Sequence, residues 1–419
     1  MACINDMLER CRPSSGTTMN VVDRLAVLVF LLMHITTAAF AAAKVATAAA
    51  TTTTVVGGWA AINVSSSYTT ATAATQFLSA TWPSATTCVA VGTSFGQGVM
   101  WLTSNGGSSW QSVAYDSVAS APALSDVASA TTVGSITYTV AVSSQGGTIY
   151  GSSDGGFTYS VVYKPPAAPQ SWFGVAVGSN GNVFAVGLTA FPYASVVYRS
   201  TPQYGFFNVW NDFSPVAGAS ISANQVKVQL TAVATKDGTN VFVTGAGGTI
   251  FYSNNAGSTW GLAATNTSNT MTCVSAANGA VAMAAGITGP LLLTINAGKK
   301  WVAVNANGNF DPAVLSYLQT TGAAIQFHAI AMLTTQIAYV ATSVGVVFKT
   351  TNAGALWTLD FPATTGVSLR PCFSALAMYS QTTGAAGTCS GGQVYVRSAV
   401  APTPRPTYPP AANTNQPTK

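Results

Sequence analysis

The chain has 419 residues, of which 15 are Lys or Arg and 10 are Asp or Glu, so 6% are charged against the ~25% of an ordinary soluble domain. That scarcity excludes coiled coils and helical bundles, which need charged wet faces, and the 48% apolar content excludes a charge-rich disordered chain. The 39 Gly and 19 Pro argue against a multi-span membrane protein, and the +5 net charge is scattered, with only Lys299 and Lys300 adjacent, so no nucleic-acid partner is expected.

At the N-terminus, residues 25–33 (LAVLVFLLM) form an apolar run preceded by Arg24 and followed by small residues through Ala41-Ala42-Ala43. A basic flank, a short apolar core and an Ala-x-Ala site make residues 1–43 an extension carrying a secretory signal peptide. An uncleaved signal anchor is the competing reading. The core is shorter than the ~20 residues a span needs, which favours cleavage and no membrane span in the mature chain. Met19 is an alternative start that would shorten the n-region. Residues 44–56 read as an Ala/Thr-rich linker. With Ala39-Phe40-Ala41 this linker resembles the bipartite plastid signal of algae with ER-derived plastids. The expected localisation is secreted, with the plastid (thylakoid) lumen as the alternative. Asn63 and Asn266 head N-x-S/T sequons, candidate glycosylation sites in an exported chain.

From residue 57 to 400 one phrase recurs: TSNGGSSW (103–110), SSDGGFTY (152–159), SNNAGSTW (253–260), TINAGKKW (294–301) and TTNAGALW (350–357). The common form is [ST]-x-[ND]-x-G-x-x-[WY], carried by Asn105, Gly107 and Trp110; Asp154, Gly156 and Tyr159; Asn255, Gly257 and Trp260; Asn296, Gly298 and Trp301; and Asn352, Gly354 and Trp357. A degenerate copy runs from Ser200 to Trp210. Each phrase follows a short apolar strand and suits a tight strand-to-strand turn. The hydroxyl and the Asn or Asp satisfy local N–H groups, Gly takes a positive φ, and the aromatic packs between layers. Arg199, Lys349 and Arg397 are expected at one shared position just before these turns.

A second phrase starts at Phe77, Leu124, Trp172, Leu230, Met271, Phe327 and Phe373. Seven units with Gly-rich turns and a period of about 50 residues predict an all-β fold, a single seven-bladed β-propeller over 57–400. GGWAAINV (57–64) supplies only a turn exit and an outer strand, while the last unit stops before its own outer strand. Lending the N-terminal strand to the last blade closes the ring. An open stack of repeats would not need that complementary truncation.

Of six cysteines, none has CxxC spacing, so no metal site is expected. Cys372 starts the inner strand of the closing blade and Cys389 ends the next, which antiparallel pairing would place opposite each other. A disulfide and two buried thiols are the readings, and an oxidising compartment favours the bridge. Residues 401–419 form a Pro/Thr-rich tail read as disordered.

The turns resemble Asp-box (BNR) repeats. With CVAVG (88–92) before TSNGGSSW and VFVTG (241–245) before SNNAGSTW, the spacing resembles the photosystem II stability/assembly-factor propeller family. That resemblance covers about 57–400 and implies a propeller that binds a nascent reaction-centre subunit. The family's arginine-rich surface is reduced here to Arg199, Arg370 and Arg397.

An enzyme is harder to assemble. The only Glu is Glu9, which excludes a sialidase with its Tyr–Glu pair. A glycoside hydrolase would draw on Asp116, Asp126, Asp154, Asp212, Asp237, Asp311 and Asp360, of which Asp116, Asp212 and Asp311 are loop candidates. His328, where other blades carry Ser125, Phe173, Thr231, Thr272 and Ser374, is expected to line the central channel or to be a satisfied core position rather than a catalytic group. No catalytic residues and no cofactor are assigned. The sequence points to a secreted, monomeric, non-enzymatic propeller binding a protein or glycan partner through one face. The alternatives are an assembly-factor-like protein of the plastid lumen and a cell-wall glycoside hydrolase.

Overall fold

Runs of β-branched and aromatic residues, each cut short by Gly, Asn, Ser or Thr, are too brief for helices and fold back as antiparallel hairpins. The computed structural model describes residues 58–63, 75–116, 121–165, 170–189, 194–202, 209–214, 228–286, 290–304, 310, 326–361 and 372–397. Among these residues, 28 strands form seven four-stranded sheets. The inner strands are Thr75–Thr81, Leu124–Thr131, Ser171–Val177, Leu230–Thr235, Met271–Ala276, Phe327–Met332 and Phe373–Met378, which open blades 1 to 7 in that order. Each inner strand touches the next and the seventh touches the first, so the blades close into a ring.

Blade 7 is completed from the other end of the chain. Trp59–Asn63 pairs with Gln393–Arg397, Trp59 opposite Arg397 and Asn63 opposite Gln393. The lent strand covers the edge that Gln393–Arg397 would otherwise expose. The extension 1–43, the linker 44–56 and the tail 401–419 lie outside the described residues.

The core is divided among the seven interfaces. One cluster joins Phe77, Cys88 and Trp101 of blade 1 to Ala385, Val394 and Val396 of blade 7, and another joins Phe242 and Ile250 of blade 4 to Met271, Leu292 and Trp301 of blade 5. Second strands are therefore covered on both faces, and Val241–Gly245, Ala338–Thr342 and Gly384–Thr388 are buried along their whole length. At ~25 cal/mol per Å² of apolar surface, fully buried rings such as Trp172, Trp357 and Phe348 are large contributors to the interfaces they occupy.

Every inner strand carries a bulge directly after its first large apolar residue. The register slips between Phe77 and Ser79, Leu124 and Asp126, Phe327 and Ala329, and at the same place in the other four blades. The bulge presses the second strand close, and a Cβ on Gly92 would lie 1.9 Å from the Gln76 carbonyl oxygen. That approach explains the Val-Gly ending of CVAVG. No helix among the described residues is long and apolar enough to cross a membrane.

Candidate functional site

In each blade, strand alternation puts the first and third connections on one face, the turn face, and the second connection and the blade-to-blade links on the other. The five repeated turns sit on the turn face with one shared geometry. In blade 1, Thr103 Oγ1 donates to Asn105 Oδ1 at 2.9 Å and accepts from Gly107 N at 2.9 Å, while Asn105 Oδ1 also accepts from Ser109 N at 2.9 Å. Ser152 with Asp154, Ser253 with Asn255, Thr294 with Asn296 and Thr350 with Asn352 repeat it. Gly107, Gly156, Gly257, Gly298 and Gly354 all have φ between +82° and +99°. Each leans on the preceding blade: a Cβ on Gly107 would meet Val396 Cγ1 at 2.5 Å, and one on Gly354 would meet Val304 Cβ at 2.8 Å.

The turn aromatics latch the blades together. Trp260 Nε1 donates to Phe213 O of blade 3 at 2.7 Å, and Trp357 Nε1 donates to Val304 O of blade 5 at 3.0 Å. Trp301 Nε1 turns instead to Gly298 O of its own turn at 3.1 Å, and Trp110 Nε1 and Tyr159 OH are buried without a partner. Trp59 occupies the same role in blade 7, but its Nε1 donates to the Asp360 carboxylate of blade 6 at 2.9 Å. Arg397 Nη1 pairs with that carboxylate, and its guanidinium stands 5.9 Å from the Trp59 ring.

This seam corrects one expectation. Phe184 and Tyr339 face Arg199 and Lys349, but Gly384 faces Arg397, which therefore sits one residue further along, where Ser200 and Thr350 stand in their blades. The turn before Gln393–Arg397 is one residue longer, and a one-residue slip reverses which side of the sheet a side chain takes. Arg199 and Lys349 make other contacts, Arg199 stacking 3.6 Å over Phe213 and Lys349 reaching Gln381 at 3.0 Å.

Each described carboxylate of the propeller holds the fold. Tyr150 OH donates to Asp116 at 2.6 Å, Ser214 N to Asp212 at 2.8 Å, and Asn240 N to Asp237 at 2.7 Å. Asp126 accepts from Val127 N at 2.9 Å and from Val175 N of the next blade at 2.7 Å. Burial pushes its carboxyl up to about 6, against the hydrogen bonds from Ser79, Val175 and Val127 that pull it down. For Asp154 burial pushes up as well, but the bonds from Thr158, Ser152 and Phe157 prevail and its pKa is lowered. Asp311 lies outside the described residues.

His328 stands at the bulge of blade 6, as the repeat alignment places it. Its Nδ1 lies 3.0 Å from Phe373 O in blade 7. The same blade-to-blade bond is made by Ser125 Oγ to Trp172 O at 2.7 Å, by Thr272 Oγ1 to Phe327 O at 3.1 Å, by Thr231 Oγ1 to Met271 O and by Ser374 Oγ to Phe77 O. Leu78 and Phe173 hold the two remaining bulges. Because Phe373 O can only accept, Nδ1–H is the donor here, and burial lowers the His328 pKa against that bond, which raises it. Cys372 immediately precedes Phe373–Met378 and Cys389 immediately follows Gly384–Thr388, at the open end of the first hairpin of blade 7, and the two are bridged, with Cα atoms 5.4 Å apart. Cys88 and Cys273 are buried free thiols, the latter pushed up to about 12 by burial. Asn266 is exposed at φ +53°, while the side chain of Asn63 lies outside the described residues.

A groove of about 430 Å³ opens on the turn face between blades 1 and 2. Pro83, Ile136 and Phe157 give it apolar walls, and Ser84, Thr87, Ser135, Thr137 and Ser153 give it hydroxyls. Its carboxylate, Asp154, is committed to the turn. Val133, 94% exposed, stands on the Thr132–Ile136 turn beside it. Sequence reasoning missed the groove because its walls come from three separate connections.

These features define a seven-bladed β-propeller with a repeated structural turn and a mostly polar, hydroxyl-lined groove with apolar patches on the turn face. No protein-family model matches the chain, and no curated protein matches it in sequence. Among solved structures it is similar to "YCF48 bound to D1 peptide", with 14% identity, a TM-score of 0.56, and coverage of 82% of this chain and 97% of that one. YCF48 from Cyanidioschyzon merolae gives 14% identity, a TM-score of 0.54 and coverage of 81% and 98%. The GH74 xyloglucanase from Xanthomonas campestris gives 13% identity and a TM-score of 0.56 over 81% of this chain and 54% of that one. At these identities the likeness is one of fold.

Proposed function

We propose that the chain is a non-enzymatic, secreted and monomeric binding propeller that takes an extended protein segment in the groove between blades 1 and 2. The observation that carries this reading is the groove's chemistry. Apolar walls and neutral hydroxyls suit a peptide backbone with small side chains, and the carboxylate there is already saturated by its own turn. The structural bonds made by Asp116, Asp126, Asp212, Asp237 and Asp360 support a binding role over a hydrolytic one. The turn geometry supports reading the repeats as Asp boxes. The YCF48 structure bound to D1 peptide favours a second reading, an assembly-factor-like role in a plastid lumen.

The test is a binding screen of the purified full chain against arrays of extended peptides and wall glycans, with reducing-sugar release measured in parallel. Peptide capture that weakens about tenfold or more in the Ile136→Ser/Phe157→Ser double variant supports the groove. Capture of glycans alone would replace the peptide by a sugar. Sugar release abolished by Asp116→Ala or Asp212→Ala would make the chain a hydrolase. Recovery of a tagged chain inside plastids would replace secretion by the lumenal reading.

A further inference from the structure

We propose that the Cys372–Cys389 pair and His328 form a redox-gated site for a thiophilic d¹⁰ cation of the Zn²⁺ type, closed while the disulfide is intact and opened by a dithiol reductant. Three donors converge there: the ligand atoms of His328, Cys372 and Cys389 all lie within 4.8 Å of one another. Nδ1 of His328 is 3.9 Å from Cys389 Sγ. Tetrahedral zinc, with Zn–S of about 2.3 Å and Zn–N of about 2.0–2.1 Å, sets its nitrogen and sulfur ligands about 3.5 Å apart. The three residues are half-buried, so the site is enclosed yet reachable.

The second observation is the identity of residue 328. At the same bulge in four other blades a Ser or Thr hydroxyl makes the bond to the next blade's carbonyl. A hydroxyl therefore suffices for the structure, and an imidazole adds only a second nitrogen and metal affinity. That imidazole occurs in the blade beside the bridged cysteines. Gln326 supplies the outer partner that a ligating histidine needs, its Oε1 lying 3.4 Å from Nε2. On metal binding the ring exchanges tautomer: Nε2–H donates to Gln326, and the Nδ1 lone pair turns from Phe373 O to the cation. Ring closure does not depend on the disulfide alone, because Trp59–Asn63 and the Asp360–Arg397 pair also hold blade 7.

The chemistry balances. The dithiol supplies two electrons and two protons, the Sγ–Sγ bond breaks, two thiols form, and the dithiol leaves as its own disulfide. The cation then displaces both thiol protons to solvent, leaving two thiolates, one neutral imidazole and a fourth position for water.

The probe is Co²⁺, read by thiolate charge-transfer absorbance and displaced by Zn²⁺, added to the full chain before and after reduction with dithiothreitol and anaerobic desalting. One equivalent is expected on the reduced chain and none on the oxidised chain. His328→Ser, which keeps the hydroxyl bond of the other blades, should weaken binding about tenfold or more. The Cys372→Ser/Cys389→Ser double variant should abolish it, with Cys3, Cys11, Cys88 and Cys273 remaining as silent internal controls. Equal uptake by the oxidised chain, unchanged affinity in His328→Ser, or absorbance persisting in the double variant would each overturn the site. If near-ultraviolet circular dichroism shows that reduction alone unfolds the chain, restoration of the native signal by Zn²⁺ supports the proposal and its failure overturns it.

Discussion

The turn face and the closing seam of blade 7 solve one packing problem with different chemistry. At the turns, five copies of a hydroxyl, an Asn or Asp and a left-handed Gly satisfy the backbone locally, and each turn leans on the blade before it. At the seam, Trp59 reaches across 301 positions of sequence to Asp360, and Arg397 completes an ion pair whose side chains are 7% and 15% exposed. Turn contacts close small loops, so each one is cheap in entropy and interchangeable. The Trp59 contact joins distant segments of the propeller and must offset a large closure cost, and Arg397, only 37 positions from Asp360, strengthens it at the same carboxylate. Where entropy is cheap the same motif is repeated, and where it is dear the residues are unique.

The sharpest way to break the comparison is to weaken the seam. Trp59→Ala removes a fully buried indole and the hydrogen bond to Asp360, an expected loss of about 3–5 kcal/mol read from urea unfolding. Arg397→Ala leaves the Asp360 carboxylate buried without its cation and should cost a similar amount, about 3–5 kcal/mol. A double-mutant cycle should show strong coupling between the two. Additive losses would mean that the seam is two separate contacts rather than one latch.

That asymmetry also sets what could be read from the sequence. The seven blades, the lent strand and the inner-strand slot shared by Ser125, Phe173, Thr231, Thr272, His328 and Ser374 are legible because each repeats a local rule, and Trp59 is recognisable as the aromatic that ends a turn. Asp360 is not, since nothing near it in sequence points to residue 59. The position of Arg397 is missed for a related reason: one extra residue in a turn shifts the register, and a motif alignment does not see it. The groove is hidden because Pro83, Ile136 and Phe157 belong to no common pattern. His328 falls in its repeat slot on Phe327–Met332, but its proximity to Cys389 depends on how neighbouring blades meet.

The turns give smaller effects of both signs. Gly354→Ala places a Cβ at φ +86° against Val304, so left-handed strain of about 1–2 kcal/mol adds to overpacking of about 1–3 kcal/mol. The residue before the repeated Gly is also left-handed: it is Gly106 or Gly155 in two turns but Ala297, at φ +57°, in blade 5. Ala297→Gly should therefore stabilise by about 1 kcal/mol, seen as a raised urea midpoint. A lowered midpoint would show that the Ala side chain contributes more than its strained backbone costs.

The smallest effect separates the inner strands from the turns by pH. Asp126 has its pKa raised to about 6 by burial, above the ~3.9 of an unfolded Asp. Its contribution to stability is therefore fully present below about 3.9 and is lost as pH rises through about 6. Asp154 has the opposite sign. Burial works against its charge, the hydrogen bonds of the turn outweigh burial, and the lowered pKa gives a contribution present above the unfolded value and lost as pH falls. Asp154→Asn makes blade 2 match the Asn turns of blades 1, 4, 5 and 6, so at neutral pH it should shift stability by less than about 1 kcal/mol. Unfolding midpoints between pH 3 and 7 separate the two groups, because the wild-type minus Asp154→Asn difference should bend only below about pH 4. The corresponding Asp126→Asn difference should slope between about pH 4 and 6, with an offset from the backbone N–H that one amide oxygen leaves unpaired. If both differences bent in the same window, the two carboxylates would share one environment, and the contrast between an inner-strand acid and a hydrogen-bonded turn acid would fail.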